Sequence, residues 1–161
     1  MKRFLKWIVF AVLAILVQTQ LSFLSGFFSA SLILVYFFGL RTRLKLSAYE
    51  WSGNKVELES VLYGALVGMV EDVFTGSLIG PGLLSKGLIG LLTPVAFTDL
   101  VFKWTPLWGG IVIVLFTLLD GVVVIGSRTF FTGIQVSLPV LLQLFLVRSL
   151  AGLPFGILLR P

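Results

Sequence analysis

The sequence predicts an all-α integral membrane protein of six transmembrane helices, and three observations predict it. Hydrophobic residues make up 58% of the 161 residues and charged residues only 12%, about half the charged share of an average soluble domain. The mean hydropathy is +1.10. Apolar runs extend from one end to the other, separated by short polar or glycine- and proline-bearing breaks. That layout leaves no room for a separate soluble domain, so residues 1–161 read as one polytopic membrane domain whose spans need ~20 residues each.

The first span covers residues 7–25 and follows the basic start M-K-R-F-L-K; Gln18 and Gln20 are its only strongly polar members. No A-x-A-like site follows it, so it reads as a retained anchor and not a cleaved signal. A serine- and glycine-rich bend leads to a short second span, 27–40, which reaches spanning length only by drawing in Phe27 and Phe28. Residues 41–59 are the longest polar stretch. Their first half, with Arg41, Arg43 and Lys45, reads as a basic interfacial segment, and Gly53 with Asn54 reads as a turn. The third span is 58–77. Pro81 and Gly82 mark a turn before the fourth, 83–102, in which Pro94 predicts a kink. Lys103, Trp104, Pro106 and Trp108 suit headgroup depth. The fifth span is 107–126, a polar break follows, and the sixth is 136–159, with Pro139, Arg148 and Pro154 inside it.

Charge fixes the orientation. With the N-terminus inside, Lys2, Arg3, Lys6, Arg41, Arg43, Lys45, Lys55, Lys103 and Arg160 all fall on the cytoplasmic side, and only Arg128 falls in an external loop. This positive-inside bias favours six spans with both termini cytoplasmic. The basic excess therefore reports topology and contact with anionic membrane lipid, and not nucleic-acid binding. Cysteine and histidine are both absent, which removes the thiolate nucleophile, the disulfide, and the commonest general base and metal ligand. No Ser-His-Asp set or acidic metal cluster is present either. An enzyme is not predicted, and no cofactor or metal.

The motif-like part of the chain is the stretch from Tyr63 to Gly90, where Gly64, Gly68, Asp72, Gly76 and Gly80 recur at every fourth position. The first four would share one helix face, and small residues there let another backbone approach closely. A carboxylate inside such a segment needs a partner or water. The pattern, with the basic start, weak second span and basic first cytoplasmic loop, resembles the signature of the MreD family of bacterial rod shape-determining proteins. Two positions depart from that pattern: Ser29, Ala30 and Ser31 stand where a Pro-Asp pair is expected, and Glu71 stands beside Asp72 where an uncharged residue is expected.

The resemblance implies an inner-membrane, non-enzymatic subunit of the elongation (rod) complex that organises sidewall peptidoglycan synthesis and cell shape. Its implied partner is MreC, a single-span protein with a large external domain. Links to the actin-like filament MreB and to a glycosyltransferase and penicillin-binding transpeptidase are also implied. The implied fold is similar to the substrate-binding subunit of energy-coupling-factor transporters, with an outward-facing cavity. That similarity keeps a second function open, a small-solute-binding subunit of such a transporter.

Depth along the spans groups the buried charges. Asp72, Lys86 and Asp120 all fall in the outer part of the membrane, whereas Arg148 falls toward the cytoplasmic side and matches Asp99 in depth. Asp72, Lys86 and Asp120 line an outer polar cavity on one reading; on the other, Asp72 and Lys86 form a structural ion pair joining spans three and four. Asp99 with Arg148 is the expected inner pair. Arg41, Arg43 and Lys45 form a cytoplasmic basic patch, for lipid or for a docking partner.

Overall fold

Near-continuous apolar runs, bounded by proline, glycine and polar stretches, give each segment a helix. The computed structural model describes residues 2–20, 29–46, 53–76, 79–97, 105–133 and 137–158, and six helices occupy them. In chain order they are α1 (Lys2–Gln20), α2 (Ala30–Leu46), α3 (Gly53–Phe74), α4 (Pro81–Val95), α5 (Pro106–Thr132) and α6 (Leu138–Leu158). No strand occurs among the described residues. Two stretches, Pro106–Phe131 and Pro139–Leu158, are long and apolar enough to cross a membrane; Leu5–Gln20 and Ala30–Thr42 are shorter apolar helices.

Several boundaries differ from the expected spans, each for a local reason. The basic residues Arg41, Arg43 and Lys45 continue α2 to Leu46 and do not form a separate interfacial segment; cations at a helix C-terminus complement its dipole. Gly53 and Asn54 open α3 and are not a turn ahead of it. α3 stops at Phe74 because Gly76 adopts a left-handed conformation, φ 60°. Pro81 begins α4 at a position that has no need of an N–H. α5 starts at Pro106 with Thr105 as its cap, the hydroxyl accepting from Trp108 N–H at 3.4 Å. It runs through the expected polar break to Thr132, where left-handed Gly133 (φ 67°) ends it.

α2 lies at the centre and touches α1, α3, α4 and α5. α3 and α4 form a tightly packed antiparallel hairpin, and α5 and α6 form a second. A ring cluster joins three helices at one end. Phe38 stacks on Tyr63 with centroids 4.1 Å apart, Trp7 meets Phe38 edge-on at 5.7 Å, and the Tyr63 hydroxyl donates to Trp7 C=O at 3.2 Å. These aromatics are interior packing, whereas the abundance of Phe and Trp suggests mostly outward bulk.

The distribution of polarity is inverted relative to a water-soluble bundle. Leu5, Val9, Leu13 and Val17 form an exposed stripe on α1, Leu58, Leu62, Leu66, Met69 and Val73 another on α3, and Ile111, Leu115, Leu118 and Val122 a third on α5. Buried between the helices are Ser31, Ser60, Asp72, Ser85, Lys86, Thr93, Thr117 and Asp120.

Candidate functional site

The site begins with the seam between α3 and α4. Ser60, Gly64 and Gly68 repeat at intervals of four on α3, and Gly82, Lys86 and Gly90 do so on α4. The helices run antiparallel, so the two triplets match in reverse order. A Cβ on Gly64 would strike the Lys86 carbonyl, one on Gly68 the Gly82 carbonyl, and one on Gly90 the Ser60 carbonyl. Backbone thus lies on backbone, an approach that only residues without a side chain allow. Gly76 and Gly80 share the spacing but play a different part. Both have positive φ, 60° and 137°, and neither would bring a Cβ within 4 Å of anything. They shape the turn between the helices.

Asp72, 4% exposed, stands at the head of that seam. Its carboxylate accepts from the N–H groups of Gly80 at 2.9 Å, Gly82 at 3.0 and 3.1 Å, and Leu83 at 3.2 Å. It supplies α4 with an anion from the neighbouring helix at the end where the helix dipole is positive and amides lack partners. Of the two readings of this residue, the ion pair with Lys86 is corrected: among the described residues Asp72 caps α4, and Lys86 pairs with Glu71 and Asp120. A Cβ on Gly82 would meet the Asp72 carboxylate, so that glycine also makes room for the cap.

Lys86 belongs to a different group. Its ammonium, 2% exposed as a residue, pairs with Glu71 Oε2 and Asp120 Oδ1, each at 2.9 Å. Asp120 Oδ1 also accepts from the Ser85 hydroxyl. Glu71 Oε2 also accepts from Ser31 Oγ at 2.7 Å, and Ser31 Oγ lies 2.8 Å from Ser29 Oγ. Gln18 of α1 joins the same end by accepting from Ala30 N–H at 3.0 Å. The network therefore crosses α2, α3, α4 and α5. Two carboxylates sharing one ammonium and two hydroxyls satisfy the hydrogen-bonding need that burial imposes on charges.

Glu71, Ser31 and Ser85 are the members that sequence reasoning missed. Part of the signal was present: Ser31, Glu71, Ser85 and Lys86 all lie close to one end of their helices, whereas Asp120 sits near the middle of α5, which runs on to Thr132. Ser31 stands where a Pro-Asp pair was expected, so a hydroxyl from α2 now meets a carboxylate supplied by α3.

Arg148 lies level with Asp120, not toward the opposite end. It lines a cleft with Asp120, Thr117 and Ser29, as the α5–α6 register requires, since Gly121 abuts Phe145 and Gly152 faces Thr117. Asp99 lies outside the described residues, and so does the expected Asp99–Arg148 pair. Arg41 is exposed, with its guanidinium 5.9 Å from the Trp7 ring centre; Arg43 and Lys45 follow it on α2.

Comparison of this chain with models of protein families, with characterised proteins and with solved structures gave no match.

Proposed function

We propose that the chain is a non-enzymatic membrane subunit of the bacterial elongation complex, similar to MreD, that binds an MreC-type single-span protein. The observation that carries this reading is the α3–α4 hairpin. Each residue on which the resemblance rests has a distinct role in it. Gly64 and Gly68 admit the α4 backbone, Asp72 caps α4, and Gly76 and Gly80 turn the chain. A rigid hairpin held by backbone contact suits a scaffold.

The membrane setting is part of the proposal. Six spans in the cytoplasmic membrane, both termini inside, accord with the positive-inside pattern and with outward apolar stripes over a buried ionic network. A six-helix arrangement like that of energy-coupling-factor substrate subunits belongs to the same reading. The glycosyltransferase, the transpeptidase and the MreB filament are the wider partners it implies, with Arg41, Arg43 and Lys45 on the cytoplasmic side.

Co-purification in mild detergent tests it. An MreC-type bait is expected to retain this chain, and depletion of the chain is expected to turn rods into spheres. Loss of co-purification together with unaltered cell shape would overturn the proposal.

A further inference from the structure

The ionic network has one open side. Asp120, 3% exposed, places both bonds that it makes with described residues on Oδ1, to Ser85 and to Lys86. It also forms part of the wall of a cleft between α2, α5 and α6, together with Ser29, Thr117, Arg148 and Gly152. The cleft measures about 10 Å³, the room of one water molecule. Buried water needs two to four polar partners. Here a carboxylate accepts, a guanidinium donates, and the Ser29 and Thr117 hydroxyls, whose protons go to Ser31 Oγ and the Ile113 carbonyl, can accept.

We propose that this cleft is a binding site for a single ordered water that joins Asp120 to Arg148. The water carries the network from α5 onto α6, so that one continuous polar chain runs through α2, α3, α4, α5 and α6. Arg148 is then a positioning residue, holding α6 in register with the bundle through the water. The inference concerns the isolated chain and stands or falls separately from its partner.

Gly152 provides the test, because a Cβ there would meet Thr117 Oγ1 at 3.6 Å, an ordinary contact. If the cleft is dry, Gly152→Ala fills it and gains helix propensity, so the melting temperature of the purified protein in detergent rises or holds. If it holds the bridging water, the methyl displaces that water and leaves its partners unsatisfied, lowering the midpoint by about 2–4 °C. Gly152→Ser places a hydroxyl where the water sat and is expected to melt within about 1 °C of the parent. A rise or no change with alanine overturns the proposal, as does an equal fall with alanine and serine. A double-mutant cycle supplies the second measurement. Asp120→Asn and Arg148→Gln are expected to lower the midpoint by less together than the sum of their separate losses; strict additivity would mean that no bridge joins them.

Discussion

Lys86 sits between two carboxylates, so its removal leaves a buried Asp120 and a half-buried Glu71 without the cation they share. Lys86→Ala is expected to cost about 3–5 kcal/mol, the range for breaking a buried pair from one side. Neutralising the whole group, with Glu71→Gln and Asp120→Asn added to Lys86→Met, is expected to recover most of that loss. Thermal unfolding in one detergent compares the two; a triple variant no more stable than Lys86→Ala would mean that the charges themselves contribute. Asp72 is a separate case, since the groups its carboxylate meets among the described residues are backbone amides. Asp72→Ala is expected to cost about 1–2 kcal/mol, and Asp72→Asn less, because the amide oxygen still accepts. Equal losses for alanine and asparagine would count against capping.

At the scale of elements the glycines fall into three kinds, and alanine distinguishes them. Gly68→Ala drives a methyl into the Gly82 carbonyl and is expected to cost about 3 kcal/mol, the upper part of the overpacking range. Gly76→Ala meets no atom but must hold φ 60°, a strain of roughly 1 kcal/mol. Gly126→Ala, within α5 and with nothing in reach, is expected to stabilise by about 0.5–1 kcal/mol through helix propensity. The order Gly126 above Gly76 above Gly68 in melting temperature is the expected outcome. Spacing alone made the seam positions Gly64 and Gly68 legible, because a period of four on an apolar segment already means close approach. The same period carried on through Gly76 and Gly80, where it marks a turn, and composition does not encode φ. That Lys86 and Asp120 belong to one group was legible by counting along the spans, but that Glu71 and not Asp72 is the other carboxylate on Lys86 was not. Asp72 and Glu71 are adjacent in sequence and point about 100° apart on a helix, so which of them meets Lys86 depends on the hairpin register. The reach of α5 past residue 126 was hidden by Ser127, Arg128 and Thr129, which read as a break; the left-handed Gly133 was the true stop.

For the whole molecule the decisive property is an apolar exterior over an ionic interior, which the hydropathy of the sequence announced and the buried network explains. The proposed orientation makes a direct prediction, because the sequence contains no cysteine and single cysteines can be placed at will. Thr75→Cys and Ser137→Cys are expected to react with a membrane-impermeant maleimide added outside intact cells, and Thr105→Cys only after lysis. The reverse pattern would invert the topology. A consequence for lipid recognition follows from the cap on α4. The free amides at a helix start are a natural landing place for phosphate, yet at Gly80, Gly82 and Leu83 they are already claimed by Asp72. The protein thus carries its own counter-ion there, and a phospholipid headgroup arriving at this end of the hairpin competes with a carboxylate tethered in place. On the proposed orientation, anionic lipid is expected to meet basic residues such as Arg41, Arg43 and Lys45 at the cytoplasmic side instead.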